Sequence, residues 1–107
     1  MDRVVLIDGK EVRMRATAST LIRYNNTFPG RDLLTEAQAM QDKPTDPENL
    51  GTITRLAYIM AKQADGGKET FLDWLDEFSA FGVVTAAADI LAVWIGNQET
   101  TVEGKKK

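Results

Sequence analysis

The chain contains neither cysteine nor histidine. Without cysteine it has no disulfide framework and no thiolate zinc site. Without histidine it lacks the commonest general base, the commonest metal ligand and the side chain that most often titrates near neutral pH. We therefore expect no metal and no cofactor. An enzyme built on this chain would depend on carboxylates, hydroxyls or lysine, and we do not expect one.

Long apolar runs are missing as well. The apolar run near the N-terminus covers only residues 4–7, which is too short for a signal peptide, and no stretch is long enough to cross a bilayer. These features predict a protein of a reducing cytoplasm with no membrane partner. Because 43% of the 107 residues are apolar, we expect a single globular domain over residues 1–97 and a flexible polar tail over residues 98–107.

Charge is distributed unevenly along the chain. Residues 1–31 carry six basic and three acidic side chains, whereas residues 65–103 carry eight acidic side chains and one basic side chain, Lys68. This asymmetry could steer a partner, or it could be an ordinary solvated surface. A nucleic-acid interface normally shows a basic face with interleaved aromatic residues. The basic residues here alternate along one short strand, so we expect no nucleic-acid partner.

The pattern of residues 49–64 predicts a helix of about four turns that organises the rest of the fold. Its apolar residues cover more than one face, which predicts the most buried helix of the protein. A short buried strand over residues 56–60 is the alternative, but the length of the pattern favours a helix. Pro47 suits the first turn of this helix, with Asp46 as its N-cap.

A β-hairpin is predicted over residues 3–16, because Asp8-Gly9 is a strong signal for a two-residue type I′ turn. The turn predicts three opposed pairs: Ile7 with Lys10, Val5 with Val12, and Val4 with Arg13. The first strand, residues 4–7, is apolar on both faces and needs cover on both. Val4 and Leu6 are therefore candidate partner-binding residues, and a homo-oligomer is a possible result.

Four further helices follow from periodicity and capping signals. They are predicted over residues 17–27, 31–41, about 69–80 and about 84–96, with apolar contacts from Leu21, Ile22, Tyr24 and Phe28 in the first and from Leu33, Leu34, Ala37 and Met40 in the second. The predicted fold class is mainly α (α+β), an N-terminal β-hairpin followed by about four to five packed helices.

Five aromatic residues near the C-terminus have two interpretations. They could form a partner-binding surface, since Trp and Phe are effective anchors, or they could form the core against the central helix. The five are Phe71, Trp74, Phe78, Phe81 and Trp94. The acidic residues Asp73, Asp76 and Glu77 lie mostly opposite this apolar face. We interpret them as a solvated helix face rather than a cation site.

Several segments, in their order and spacing, resemble one protein family. They are Ile7-Asp8-Gly9-Lys10, residues 15–20, Arg23-Tyr24 with Phe28 and Gly30-Arg31-Asp32, residues 56–64 and residues 73–78. Together they resemble the tail assembly chaperones of long, non-contractile-tailed phages and prophages of Gram-positive bacteria (siphoviruses), over roughly residues 4–95. Two departures from the family pattern are Asn25, where Arg is expected, and Pro29, which separates Phe28 from Gly30.

The resemblance implies a non-enzymatic protein whose partners are the tape-measure protein and the tail-tube protein. It would keep the tape-measure protein soluble in the host bacterial cytoplasm, promote tail-tube assembly and be absent from the mature virion. Members of this family are often also made in a longer form by ribosomal frameshifting, and Gly104-Lys105-Lys106-Lys107 could be encoded by a slippery run of bases. The alternatives are a homo-oligomeric connector of the phage head–tail region and a small regulatory or antitoxin partner.

Overall fold

The computed structural model describes residues 2–43, 46–79 and 81–106, with side chains as far as Gly96. Within this part of the chain a two-stranded antiparallel hairpin precedes six helices, which confirms the predicted α+β class. The strands are β1 (Asp2–Ile7) and β2 (Lys10–Arg15). The helices are α1 (Ala18–Thr27), α2 (Leu33–Asp42), α3 (Pro47–Asp65), α4 (Phe71–Leu75), α5 (Gly82–Thr85) and α6 (Ala87–Lys106).

The hairpin has the predicted turn and register. Asp8 and Gly9 adopt φ values of 56° and 78°, the left-handed conformations that a type I′ turn requires at both positions. The three predicted pairs, which oppose residues 7 and 10, 5 and 12, and 4 and 13, all occur. Since side chains alternate along a strand, Val5 and Ile7 are buried on the inner face while Val4 and Leu6 point outward.

Helix α3 forms the centre of the core, as the sequence predicts. The Asp46 side chain accepts a hydrogen bond from the Glu48 N–H, Pro47 occupies the first turn, and Gly66 ends the helix in the left-handed conformation. Eight of its residues are buried, more than in any other helix over the residues whose burial is described, and β2, α1, α2 and α6 all contact it. The helical interpretation of residues 56–60 is therefore confirmed.

Helices α1 and α2 lie close to their predicted positions, but two of their predicted apolar contacts are wrong. Ile22 and Leu34 are exposed. The inward positions are taken instead by Thr20 and Tyr24 on α1 and by Leu33, Ala37 and Met40 on α2. Burial of the Thr20 hydroxyl is tolerated because it donates to Gln63 of α3 and accepts from the Thr17 N–H. The bond from the Thr17 N–H also completes a capping box.

The C-terminal helices depart most from the prediction. The helix expected to reach about residue 80 ends at Leu75, and residues 76–78 continue as a tighter turn with Glu77 and Phe78 N–H groups bonded to carbonyls three residues back. The helix expected to begin at Val84 is divided into α5 and α6, and α6 extends to Lys106 instead of ending near Gly96. The flexibility of residues 98–107 stays a prediction, because their side chains and Lys107 lie outside the described residues.

Candidate partner-binding surface

The outer face of β1 carries two large apolar side chains that no other element covers among the described residues. Val4 is 56% exposed and Leu6 is 59% exposed, although Val5 and Ile7 on the opposite face belong to the core. The strand is therefore apolar on both faces, as the sequence indicated, and its own helices cover only the inner one. These two predicted partner-binding residues are accessible.

The backbone of β1 is also open at its outer edge. A two-residue turn makes Ile7 and Lys10 a hydrogen-bonded pair, so the pairs alternate and the N–H and C=O groups of Val4 and Leu6 point away from β2. Among the described residues, neither of these residues makes a backbone hydrogen bond outside the hairpin. An edge of this kind is a template for another strand.

The free side of β2 is occupied, in contrast, by contacts to the end of α3. The Arg13 guanidinium pairs with the Asp65 carboxylate at 2.9 Å, and Arg15 donates to the Gln63 carbonyl at 3.4 Å. Arg15 also forms an ion pair with Asp2. The backbone of β2, like that of β1, makes no hydrogen bond outside the hairpin among the described residues. The strands therefore differ in side-chain cover, and the edge of β1 is the less covered one.

A groove of about 360 Å³ lies beside β1 and connects Leu6 to Phe81. Phe81 is 74% exposed, which makes it the most exposed large apolar side chain among the residues whose burial is described. Gly82 and Ala86 line the groove with them, and so do the carboxylates of Asp8 and Asp89. The structure thus places two predicted partner-binding residues, Leu6 and Phe81, at one site although they are far apart in sequence.

The groove is held in place by the hairpin turn. The Asp8 carboxylate accepts hydrogen bonds from the N–H and from the hydroxyl of Ser79, the latter at 2.9 Å. The Ser79 N–H stabilises the charged carboxylate and is the main cause that lowers the pKa of Asp8. A methyl group at Gly82 would lie 2.5 Å from this carboxylate, so a larger residue there would have to displace the Asp8 side chain. Sequence reasoning missed this contact because 71 residues separate its partners.

The other predicted aromatic residues occupy the interior or its margin. Trp74 and Trp94 are buried in the core, while Phe71 and Phe78 are half-buried and pack against it. Ring centroids lie 5.7 Å apart between Tyr58 and Trp74 and 5.1 Å apart between Trp74 and Phe78. Trp74 and Trp94 therefore belong to the core, which is the second interpretation of the aromatic residues. Phe81 is exposed and remains a candidate for the partner-binding surface.

Two of these aromatic residues also line a second groove, of about 270 Å³, between β2, the end of α3 and α4. Trp74 and Phe78 form its apolar part, and the Lys10 ammonium lies 5.4 Å from the Phe78 ring centroid. The same ammonium donates to the Glu77 carbonyl at 2.9 Å. The Lys10 side chain therefore lies across the apolar part of this groove.

A partly buried polar cluster around Tyr24 was not predicted from the sequence. The Tyr24 hydroxyl donates to Glu36 at 2.6 Å and accepts from Arg55 at 3.0 Å, and Arg31 pairs with Glu36 at 2.9 Å. Burial raises the pKa of Tyr24. The cluster joins α1, α2 and α3, and its members satisfy one another.

The acidic residues of the C-terminal half do not converge. Over the residues described, no three carboxylates are close enough to hold a metal ion. Nor is any described helix both long and apolar enough to span a bilayer. The expectation that the chain is not an enzyme stays a prediction.

The comparisons with known proteins found no matching family model, no similar curated protein and no similar solved structure.

Proposed function

We propose that this chain is a tail assembly chaperone of a long, non-contractile-tailed phage or prophage. It binds the tape-measure protein, keeps it soluble and promotes assembly of the tail-tube protein around it. The observation that carries the proposal is the groove between Leu6 and Phe81, beside the open edge of β1. Large apolar side chains exposed next to one another mark interaction sites.

The segments that carry the family resemblance also support this function. Ile7-Asp8-Gly9-Lys10 forms the turn at one end of the groove, and Asp8 holds Ser79 there. Residues 56–64 lie in α3, the core helix against which the hairpin packs. The motif segments therefore build and position the surface that the proposal uses.

The proposed site of action is the host bacterial cytoplasm during assembly, and the chain is absent from the mature virion. Mass spectrometry of purified particles tests this location, because a connector protein would be present there in fixed copy number. The connector is the second candidate function, and the exposed Val4 and Leu6 favour it, since exposed apolar side chains can join subunits.

The frameshifted longer form belongs to the same proposal. In the gene, an A-rich run at the codons for Gly104 to Lys107 with an overlapping reading frame would support it. Mixed lysine codons without an overlapping frame would leave these lysines as surface charge.

The chaperone function is tested by co-expression with the tape-measure protein encoded beside this gene. We expect the soluble yield of the tape-measure protein to rise and the two proteins to co-purify. If neither occurs and the chain is instead found in purified virions, the connector is the better assignment.

A further inference from the structure

We infer that the groove beside β1 binds an extended segment of another protein, which adds a strand to β1 and carries a lysine or arginine that pairs with Asp89. The inference goes beyond the proposed function because it specifies the recognition mode, whichever protein supplies the segment. It depends on the backbone of β1, on the apolar side chains beside it and on the charge of the groove.

The backbone requires an extended partner. Val4 and Leu6 are two residues apart, so their outward N–H and C=O groups form one row along the edge. The backbone N–H and C=O groups of a helix are already paired within the helix, so a helix cannot form hydrogen bonds with this edge. An added strand can.

The side chains require a partner with alternating apolar residues. One set of side chains on an added strand lies beside the exposed Val4 and Leu6. The other set points to the opposite face, where α6 contacts β1. Phe81 lines the same groove as Leu6 and adds a second large apolar side chain to it.

The charge of the groove requires a basic residue. Its lining includes two carboxylates, Asp8 and Asp89, and neither lysine nor arginine. Asp8 is engaged by Ser79. Asp89 is exposed and, among the described residues, makes no hydrogen bond or ion pair. A lysine or arginine on the added strand would pair with it.

A second copy of this chain fits the edge poorly. Antiparallel self-pairing must oppose the even-numbered residues, because those carry the outward backbone groups. Pairing that opposes Asp2 and Val4 places Arg3 directly opposite Arg3 of the second copy. Pairing that opposes Val4 and Leu6 places Asp2 opposite Asp8. Like charges that are directly opposed destabilise a strand pair.

A third register is centred on Val4. It places Asp2 of the second copy opposite Leu6, at the end of the strand where Asp8 and Asp89 line the groove. These three registers thus bring like charges near one another, and a fourth, centred on Leu6, opposes only residues 4–8. A foreign strand with a basic residue at this end avoids the conflict.

The experiment selects binders from a library of short random peptides displayed on yeast, with the folded chain as target. We expect enriched sequences in which apolar residues alternate and a lysine or arginine recurs. Leu6→Lys should lose these peptides, while Leu72→Lys should retain them, because Leu72 is equally apolar and 68% exposed but lies outside the groove. Binding should also slow amide exchange at Val4 and Leu6.

Reversing the charge of Asp89 distinguishes an ion pair with the peptide from binding through apolar contacts alone. In the Asp89→Lys variant we expect peptides with lysine to bind about threefold more weakly and matched peptides with glutamate to bind more tightly, with both effects reduced at high salt. Circular dichroism controls for folding of each variant.

Three results would overturn the inference. The first is that no peptides are enriched, or that the enriched peptides bind Leu6→Lys as well as the wild type. The second is enriched sequences with helical spacing of apolar residues, which would indicate a docked helix. The third is a concentration-dependent dimer of the wild-type chain in sedimentation that Leu6→Lys abolishes, which would make a second copy the occupant.

Discussion

Asp8 in the hairpin turn accepts two hydrogen bonds from Ser79, 71 residues further along the chain. This contact joins the N-terminal hairpin to the loop before α5 and fixes one end of the groove beside β1. It also gives Asp8 a second role, because the same residue occupies the left-handed position of the turn.

The first prediction concerns the charge of Asp8. Its folded-state pKa lies below the ordinary value of 3.8, mainly because of the Ser79 N–H. The stability that it contributes is therefore present above pH 3.8 and is lost as pH falls through the lower folded-state pKa. Asp8→Asn keeps a residue suited to the turn but cannot titrate. We expect its melting temperature to be lower than that of the wild type at neutral pH, and the difference to shrink in acid.

The control for this titration is Asp42→Asn, since Asp42 is exposed and its side chain makes no hydrogen bond with the described residues. Thermal melts between neutral pH and strong acid measure the difference. If the difference in melting temperature between the wild type and Asp8→Asn stays constant over this pH range, the assigned contact is contradicted.

Gly82 provides a steric test of the same contact. Alanine normally favours a helix over glycine, but a methyl group here would lie 2.5 Å from the Asp8 carboxylate. We expect Gly82→Ala to lower the free energy of unfolding by about 1–3 kcal/mol. In an Asp8→Ala background the penalty should disappear, and equal penalties in both backgrounds would show that the two residues do not interact.

Met60 tests the central position of α3. It is fully buried, so Met60→Asp must bury an unpaired charge or protonate the carboxyl group at similar cost. We expect a loss of several kcal/mol, about 3 or more, or a chain that does not fold. Met60→Leu, the volume-conserving control, should cost less than about 1.5 kcal/mol. An unchanged melting temperature in Met60→Asp would contradict the fold.

Substitution of Tyr24 tests the partly buried polar cluster. Tyr24→Phe keeps the ring, which lies 5.3 Å from that of Phe28, but removes the partner of Glu36 and Arg55. We expect a loss of about 1–3 kcal/mol, more than for Tyr58→Phe. Among the described residues, the Tyr58 hydroxyl donates to the Glu69 carbonyl and makes no second hydrogen bond. Chemical denaturation at neutral pH measures both variants. Equal losses would mean that the cluster contributes no more than a single hydrogen bond.

The raised pKa of Tyr24 predicts how the free energy of unfolding changes at alkaline pH. Above pH 10, its ordinary value, the unfolded chain releases the phenolic proton before the folded chain does. The free energy of unfolding should therefore fall as pH rises beyond this value, and more steeply in the wild type than in Tyr24→Phe. Parallel curves would contradict the burial of the neutral phenol.

Local signals predicted the parts of the fold that depend on local chemistry. Asp8-Gly9 set the hairpin register, and Asp46-Pro47 set the start of α3. The apolar pattern of residues 4–7 also indicated the surface that remains uncovered. These features follow from backbone conformations and periodicities that neighbouring residues determine.

The errors occurred where distant residues decide the outcome. The helix predicted to reach about residue 80 ends at Leu75, and the Ser79 N–H bonds to Asp8 rather than to a carbonyl of its own helix. Periodicity also assigned Ile22 to the core, whereas Thr20 is buried because Gln63 accepts its hydroxyl. The groove between Leu6 and Phe81 was not predictable because it exists only after the hairpin meets α5.

We propose that the surface formed by Leu6 and Phe81 binds the tape-measure protein. The most direct measurement is the amount of tape-measure protein that the tagged chain retains. Four versions of the chain are compared: the wild type, Leu6→Lys, Phe81→Lys and the exposed control Leu72→Lys. We predict that the wild type and Leu72→Lys retain it equally, and that each groove variant retains about tenfold less, because a desolvated apolar anchor is lost. Equal retention by all four proteins, or none by the wild type, would contradict the account.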